Sequence, residues 1–188
     1  METLTKTELQ LKQLEIFGRI NKGSVFVHPT DTIYGLGCDA TNSTAVKKLR
    51  QLKERQDNPF SVWVPSLKWI KDNCVVDKEG EKWLKDLPGP YTLIFKLKNK
   101  NAVAKEVTLG GDSLGVRIPE HWFSQVVSSI KKPIVTTSAN KAGQPFMTSV
   151  GDLHMDLQSG IDFVIYEGEK KARPSKIIDL TKGTIRER

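Results

Sequence analysis

The sequence predicts an α/β or α+β protein built on a mixed β-sheet. Short β-branched runs alternate with amphipathic helical patterns along most of the chain, which is the order expected for these classes. The clearest strand covers residues 91–97, where Leu93 and Phe95 fall on one face and Thr92 and Lys96 on the other. Polar turns adjoin three predicted strands, and convergence of these strand ends would form one cleft.

Length and composition limit the classes of protein to which this chain can belong. A length of 188 residues favours one globular domain over residues 1–188. A formal net charge of +7 favours anionic partners. No apolar run approaches the ~20 residues of a membrane span, and the N-terminus lacks the apolar core of a secretory signal. Two cysteines are too few for a disulfide framework, and the three histidines lie far apart. We therefore expect a cytoplasmic protein with reduced thiols and no zinc site.

The first elements lead to the stretch around which we expect the site to form. A helix is predicted over residues 5–21, where Thr5 and Glu8 fit a capping box, and a strand over residues 24–28. The apolar side of this helix is expected to consist of Leu9, Leu11, Leu14, Phe17 and Ile20. The strand leads into HPTDTIYGLGCDA, residues 28–40. This segment combines hydroxyl groups, a carboxylate, a phenol and glycines, so it is either an ordinary turn or one wall of a ligand site.

A second helix is predicted over residues 41–53, capped by Asn42 or Ser43. Its outer side is expected to carry Lys47, Lys48, Arg50 and Lys53. The helix runs into the polar loop KERQDNPF, residues 53–60. Such a charged face is usually just solvated, but cations beside an amide in a loop before a strand also suit a phosphate or carboxylate cradle.

The remaining predicted elements continue the alternation of strands and helices. Strands are predicted over residues 61–64, 91–97, 113–118, 133–136, 161–166, 175–180 and 184–186. Helices are predicted over residues 67–73, 78–87, 122–130 and 150–157. Loops are predicted over residues 98–112, 141–148 and 167–173, the first of them mobile.

Two further features point towards the predicted cleft. Arg117 alternates to the face opposite Val116 and Ile118, where it is either a solvent-facing edge residue or a fixed cation in the cleft. The strand 133–136 ends in TSAN, residues 137–140, a second turn rich in hydroxyl groups and an amide. The sequence has no P-loop, dinucleotide-binding, nucleophile-elbow or zinc-protease motif. A site of hydroxyls, amides and cations suits phosphoryl or nucleotidyl transfer to a nucleophile that the substrate supplies.

The chain contains six segments that match one family: HPTDTIYGLGCDA, KERQDNPF, LPGPYTLIF, DSLGVRIPEH, VTTSAN and RPSKIIDL. In order and spacing they resemble the YrdC-type proteins, the threonylcarbamoyl-AMP synthases. The resemblance implies a twisted mixed sheet flanked by helices, with a large basic concave cleft. It also implies formation of threonylcarbamoyl-AMP and pyrophosphate from L-threonine, bicarbonate or carbon dioxide, and ATP with Mg²⁺. The product would pass to a downstream threonylcarbamoyl-transferase complex that modifies tRNA next to the anticodon.

By motif, the resemblance assigns catalysis and the ATP phosphates to Lys53 and Arg55. It assigns threonine binding to Thr30, Arg117, Thr137, Ser138 and Ser175, with Arg117 on the threonine carboxylate. It assigns further ATP contacts to Asn58, Ser113, Asn140 and Arg186. Thr32 and Tyr34 would shape the pocket, and no metal ligand is assigned. Asp31 stays unassigned, with bracing of its own turn as the simplest role.

Three positions depart from the family pattern. Gln56 stands where many relatives have proline, Trp63 where longer relatives often have a histidine near the threonine, and Lys176 where a small hydroxyl residue is common. The length implies a form without a second domain. Two alternatives stay open: a non-catalytic RNA-binding module of this fold, and a carbamoyl-transfer relative. Charge supports the first, with double-stranded RNA or tRNA as possible partners, but an aromatic content of 7% offers no evident platform for stacking unpaired bases. The lack of zinc-finger or acylphosphatase-like segments argues against the second.

Overall fold

The computed structural model describes residues 1–141 and 143–187. Position 142, inside the predicted loop 141–148, and position 188 lie outside the described residues. Within the described residues the strands are β1 (Glu2–Leu4), β2 (Phe26–His28), β3 (Gly35–Gly37), β4 (Ser61–Trp63), β5 (Tyr91–Lys96), β6 (Ser113–Arg117), β7 (Ile134–Ser138), β8 (Phe163–Ile165), β9 (Lys176–Asp179) and β10 (Thr184–Arg186). The helices are α1 (Lys6–Leu11), α2 (Gln13–Asn21), α3 (Ser43–Lys53), α4 (Leu67–Asn73), α5 (Lys78–Leu84), α6 (Lys105–Thr108), α7 (Phe123–Ile130) and α8 (Met155–Gln158), with a 3-10 turn at Val150–Asp152.

The strands form one mixed sheet in the order β1-β8-β2-β3-β7-β4-β6-β5-β9-β10. Strand β8 pairs in parallel with β1 and β2, as do β4 with β6 and β5 with β9. The other neighbours, β2–β3, β3–β7, β4–β7, β5–β6 and β9–β10, are antiparallel. The predicted mixed α/β architecture, a sheet flanked by helices, is confirmed, whereas the basic character of its cleft stays a prediction.

Side chains cap helices α1 and α3 as the sequence indicates. The Thr5 hydroxyl accepts the N–H of Glu8, whose carboxylate in turn accepts the N–H of Thr5, so the predicted capping box is confirmed. Helix α3 is capped by Asn42, whose side-chain oxygen accepts the N–H of Ala45. Of the two cap candidates, Asn42 is therefore the one used and Ser43 is the first helical residue.

The predicted helix over residues 5–21 is two helices, and its predicted apolar side needs a correction. Lys12 lies between them at φ −99° and ψ 18°, outside the helical conformation. Leu9, Ile16 and Ile20 are buried, and at about 100° per residue they fall within about 20° of one direction around the helix. Leu11 and Leu14, predicted on the apolar side, lie about 200° and about 140° from Leu9 and are 82% and 87% exposed.

The predicted bounds of the other helices and strands are confirmed in part. Helix α4 has the predicted bounds and β5 ends one residue early. The predicted helix 78–87 ends at Leu84, and the predicted helix 150–157 is a 3-10 turn followed by α8. The predicted loop 98–112 contains α6, which buries Val107 in the core. Strand β7 extends through Ser138, two residues into the predicted turn.

The predicted outer side of α3 is partly buried, which is a further correction. Arg50 and Lys53 are 6% and 2% exposed. The Arg50 guanidinium donates to backbone oxygens of Arg55, Asn58, Glu106 and Val107. Buried cations need such acceptors, and helical periodicity does not reveal acceptors that other segments supply.

Each face of the sheet carries its own hydrophobic cluster, because side chains along a strand alternate. In β8, Val164 joins the first cluster, whereas Phe163 and Ile165 join the second. The first cluster includes residues of α3, α4, α5, α6 and α8, and the second includes residues of α1, α2 and α7. Helices thus cover both faces of the sheet.

The second face consists of an aromatic half and a polar half. The aromatic half contains Phe26, Trp63, Phe123 and Phe163. Among the described residues, the second cluster takes none from β5, β6 or β9. The polar half lies on the rest of this face. The registers of β4, β5, β6 and β7 show that it consists of Ser61, Thr92, Ser113, Arg117 and Thr136. The two halves therefore lie side by side on shared strands, and β4 contributes to both.

A hairpin of β2 and β3 connects the two halves of this face. His28 is fully buried, and its ring stacks on Phe123 at 5.4 Å between centroids. A Cβ on Gly35 would lie 2.7 Å from the His28 ring, and one on Gly37 would lie 2.9 Å from it. The segment 28–40 thus contains the end of β2, a turn and β3. The glycines of β3 leave space for the imidazole of His28. Burial lowers the pKa of His28 to about 3.

None of the helices in the described part of the chain combines the length and the apolar character that crossing a lipid bilayer requires.

The cysteines Cys38 and Cys74 are both buried and free. Burial raises the pKa of the Cys74 thiol to about 11 and raises that of Cys38 as well. A buried thiol with a raised pKa is a poor nucleophile, so both behave as small apolar residues.

Candidate active site

A cavity of about 100 Å³ opens on the polar half of the sheet, where the β2–β3 turn meets β4, β5, β6 and β7. Its lining is Thr30, Thr32, Ile33, Tyr34, Gly35, Ser61, Thr92, Arg117, Thr136, Thr137, Ser138, Phe146, Pro174 and Ser175. All five residues that the resemblance assigns to threonine belong to this lining. Segments spread along the chain are thus brought together around hydroxyl groups and one guanidinium, while the role of each residue stays a prediction.

The guanidinium of Arg117 is fixed by a carboxylate. Its Nη2 donates to Oδ1 of Asp31 at 2.9 Å, and the two side chains are only 8% and 10% exposed. The Asp31 Oδ2 accepts the N–H of Glu120 at 3.3 Å. Burial raises the pKa of the Asp31 carboxyl, although the charge of Arg117 opposes this effect. Arg117 is therefore a buried cation in the cavity, not an edge residue, and Asp31 does more than brace its own turn.

The Thr30 hydroxyl holds the β2–β3 turn together. It donates to the backbone oxygen of Ile33 at 2.7 Å, accepts the N–H of Thr32 at 3.0 Å and lies 3.0 Å from the Thr32 hydroxyl. A hydroxyl has one donor and two acceptor positions, so these contacts use all of them. A direct hydrogen bond from the Thr30 hydroxyl to a ligand would require one of these contacts to break, whereas Thr32 keeps hydrogen-bonding capacity.

A second pair of hydroxyls lies across the cavity. Thr92 Oγ1 and Ser175 Oγ are 2.9 Å apart and both side chains are buried. Sequence reasoning missed Thr92, together with Ser61, Thr136 and Phe146 in the lining. A signal for Thr92 was present, because alternation places it on the face opposite Leu93, and the face opposite Val116 carries Arg117.

Lys53 lies beside the cavity and binds the turn that follows β7. Its Nζ donates to the backbone oxygens of Ser138 and Asn140, both at 2.6 Å, and lies 3.2 Å from Oδ1 of Asn140. Burial lowers the pKa of the Lys53 amine to about 7, and the charge of Arg55 acts in the same direction. The predicted phosphate ligand thus holds the Ser138–Asn140 turn in this structure.

The other predicted nucleotide residues lie around the cavity rather than in its lining. Arg55 Nη1 lies 3.4 Å from the Thr137 hydroxyl, and Asn58 accepts hydrogen bonds from arginines through its backbone oxygen. Asn140 lines a neighbouring cavity that shares Phe146 with the first. These residues place cations and an amide on one side of the hydroxyl-lined cavity.

Ser113 and Arg186 lie further away on the same sheet. Ser113 is four residues before Arg117 on β6, and the alternation of strand side chains puts both on one face. Arg186 pairs with Ile177, which pairs with Thr92, so two strand spacings, about 10 Å, separate Arg186 from Thr92. A ligand that contacts all of these positions would have to extend across the polar half of the sheet.

The segment after β8 closes one side of the cavity. The Tyr34 hydroxyl donates to the Gly168 backbone oxygen at 2.6 Å and accepts the N–H of Glu167 at 3.0 Å. The Glu167 carboxylate binds His121 at 2.8 Å, Lys170 at 2.5 Å and the indole N–H of Trp122. These contacts tie the segment that leads to Pro174 and Ser175 to the β2–β3 turn and to α7.

No group of three or more His, Cys, Asp or Glu side chains in residues 1–141 and 143–187 is arranged to hold a metal ion. The carboxylate of Asp31, which lies behind the guanidinium in the cavity lining, is paired with Arg117. A divalent cation at this site would therefore have to be held mainly by a ligand that brings its own oxygen atoms.

The fold and the cavity define an α/β protein with a hydroxyl-lined ligand site, and sequence comparison identifies the class. Residues 19–187 match the Sua5/YciO/YrdC family, described as telomere recombination, and the chain belongs to that family. The family resemblance indicated by the six sequence segments is confirmed.

Relatives of known name share both sequence and fold with this chain. The chain is 33% identical over 169 residues to the threonylcarbamoyl-AMP synthase of Pyrococcus abyssi, a match that covers 87% of this chain and 49% of that protein. It is 34% identical over 179 residues to a Methanocaldococcus jannaschii protein provisionally named threonylcarbamoyl-AMP synthase, and this match covers 92% of this chain and 83% of that protein. The crystal structure of P. abyssi Sua5 complexed with L-threonine matches with a TM-score of 0.85 at 30% identity, over 96% of this chain and 54% of that one. The chain thus spans about half the length of the P. abyssi protein.

Proposed function

We propose that the protein is an L-threonylcarbamoyladenylate synthase, which forms threonylcarbamoyl-AMP and pyrophosphate from L-threonine, bicarbonate or carbon dioxide, and ATP. The observation that carries this proposal is the cavity itself, since Thr30, Arg117, Thr137, Ser138 and Ser175 all line it. The similarity to a protein solved with L-threonine, at 30% identity over 96% of this chain, supports the same substrate.

Threonine would bind with its carboxylate on Arg117, because a guanidinium offers paired donors that match a carboxylate. The hydroxyls of Thr32, Thr92 and Ser175 surround the space beside Arg117 and would recognise the threonine hydroxyl. A buried site built to bond that hydroxyl rejects an analogue without it, since its own polar atoms would then lose their partners.

The chemical step would be in-line attack of a carbamate oxygen on the α-phosphorus of ATP. The threonine amine first adds carbon dioxide and loses a proton, which gives the carbamate. The carbamate oxygen then forms a bond to the α-phosphorus while the bond from that phosphorus to the bridging oxygen of pyrophosphate breaks. Lys53 and Arg55 would offset the phosphate charge. Reaching the phosphates would require Lys53 to exchange a carbonyl partner for a phosphate oxygen.

Mg²⁺ would enter as the counterion of ATP, held by phosphate oxygens, and would supply charge neutralisation at the leaving pyrophosphate.

The product would pass to a downstream threonylcarbamoyl-transferase complex that acts on tRNA in the cytoplasm. Direct binding of tRNA or double-stranded RNA is supported only by the net charge of +7.

Pyrophosphate release tests this proposal. We expect release from ATP that requires both L-threonine and bicarbonate, and Arg117→Ala should abolish it while Lys68→Ala, at an exposed position on α4, leaves it unchanged. A thermal unfolding profile of each variant separates loss of the site from loss of the fold. Release that does not depend on threonine would refute the proposal, as would threonine-dependent turnover by Arg117→Ala at the wild-type rate.

A further inference from the structure

Asp31 and Arg117 form a buried ion pair whose guanidinium lines the cavity while its carboxylate lies behind it. We propose that Asp31 is a positioning and specificity-determining residue: it fixes Arg117 and gives the cavity a preference for zwitterionic amino acids over simple carboxylate anions. This inference rests on the proposed function, because it takes the α-carboxylate of threonine as the group that Arg117 binds.

The geometry supports a fixed carboxylate rather than a mobile one. Asp31 Oδ1 accepts from Arg117 at 2.9 Å and Oδ2 from the N–H of Glu120 at 3.3 Å. The neighbouring turn is held by the Thr30 hydroxyl through its contacts with Ile33 and Thr32. Asp31 thus holds one edge of the guanidinium from a rigid turn, and Arg117 carries the effect to the ligand.

The charge balance gives the specificity. A buried guanidinium without a counterion would attract any carboxylate, since an unpaired buried charge is costly. Asp31 cancels that charge before a ligand arrives, so a second carboxylate creates a local excess of negative charge unless the ligand also brings a cation. A zwitterion such as threonine carries an ammonium group beside its carboxylate, whereas a hydroxy acid does not.

Neighbouring charges do not replace this function. His121 and Glu167 form their own pair at 2.8 Å, and Lys170 also binds Glu167. Burial raises the pKa of the Asp31 carboxyl and lowers that of His121, while Arg117 favours the charged form of Asp31. Asp31, by contrast, contacts the Arg117 guanidinium directly, at 2.9 Å.

Direct binding of three small molecules tests the proposal: L-threonine, 3-hydroxybutyrate, which lacks the ammonium group, and threoninol, which lacks the carboxylate. Titration calorimetry on the full chain gives each Kd. For Asp31→Asn we expect threonine to bind about tenfold more weakly and the ratio of the 3-hydroxybutyrate to threonine Kd to fall by about tenfold or more. Threoninol brings an ammonium group without a carboxylate, so Asp31→Asn should weaken its binding as well, because the charge of Arg117 is then no longer offset.

Controls separate this role from a structural one. The Kd ratio of two ligands on one protein sample does not depend on the fraction that is folded. Asp31→Glu should restore most of the preference, and Asp72→Asn, at an exposed ion pair on α4, should leave it unchanged.

Different results overturn different proposals. Weakening of threonine and 3-hydroxybutyrate by the same factor, which leaves the ratio unchanged in a protein that still binds threonine, overturns the role of Asp31 and leaves the proposed function standing, as does threoninol binding that does not weaken. Failure of the wild-type protein both to bind threonine and to release pyrophosphate overturns the proposed function and this inference with it.

Discussion

The amine nitrogen of Lys53 lies 2.6 Å from the backbone oxygen of Asn140. This contact joins the last residue of α3 to the turn after β7 and makes a lysine side chain part of the wall beside the cavity. The Asn140 side chain is placed in the same turn, since its Oδ1 accepts from the Ser138 hydroxyl at 2.6 Å. The shape of this wall therefore depends on one buried amine.

We expect Lys53→Met to remove the clamp, which leaves the Asn140 backbone oxygen without this donor and the Ser138 backbone oxygen with only the N–H of Asn140. The cost should be about 3 kcal/mol in the free energy of unfolding, as for buried hydrogen bonds to a charged group, together with a raised KM for ATP. Lys47→Met, at a solvent-facing position on the same helix, is the matched control. Denaturant unfolding and pyrophosphate release measure both effects. Equal stability of the two variants would show that the clamp contributes nothing.

Gly35 and Gly18 should respond in opposite ways to the same substitution. Gly35→Ala would place a Cβ 2.7 Å from the His28 ring, whereas a Cβ on Gly18 meets nothing within 4 Å. We expect Gly35→Ala to lower the free energy of unfolding by about 2 kcal/mol and Gly18→Ala to raise it by about 0.5–1 kcal/mol, as for Gly→Ala inside a helix. Urea unfolding measures both, and a neutral result for Gly35→Ala would contradict the close packing of this hairpin.

The carboxylate of Glu167 should give a pH-dependent contribution to stability. Burial raises its pKa, but hydrogen bonds from Lys170, Trp122 and His121 outweigh burial, so the pKa is lowered from its ordinary 4.5. A lowered carboxyl pKa adds stability that is complete above pH 4.5 and is lost as the pH falls through the folded-state value. Glu167→Gln should therefore be about 1–2 kcal/mol less stable than wild type at pH 7, with a smaller difference below pH 4.5. A difference that stays constant with pH would exclude this linkage.

His28 should make the protein less stable in mild acid. Its pKa is lowered by burial from 6.5 to about 3, so between these values the unfolded chain binds a proton that the folded chain excludes. Stability should fall as the pH drops through this window, by at most about 1.4 kcal/mol per pH unit from this residue. His28→Asn should remove this contribution to the dependence of stability on pH, whether or not the substitution itself changes the stability at neutral pH. Denaturant unfolding at several pH values measures the slopes, and identical slopes would contradict a neutral buried imidazole.

Local patterns predicted the elements that local forces determine. The alternation in Tyr91–Lys96 and the bounds Leu67–Asn73 needed no information from elsewhere in the chain. The same is true of the Thr5–Glu8 cap, which lies within one helical turn. The family motifs then located the cavity residues, because six segments in order carry more information than any single pattern.

Contacts between distant segments were not predictable from the same patterns. Arg50 and Lys53 read as solvated positions because their acceptors lie on α6 and after β7. The pair Asp31–Arg117 joins residues 86 positions apart, and no periodicity within either segment relates them. The exposure of Leu11 and Leu14, by contrast, agrees with strict helical periodicity counted from Leu9, which places Ile16 and Ile20 on the buried side instead.

The side-by-side arrangement of the aromatic and polar halves makes Trp63 an optical reporter of the cavity. Its fully buried indole lies on the same strand and face as Ser61, and in register with Arg117. An indole held in a rigid apolar environment responds to small changes in the neighbouring charges. A variant that keeps only this tryptophan would turn the emission spectrum into a direct signal of ligand entry, with no attached label.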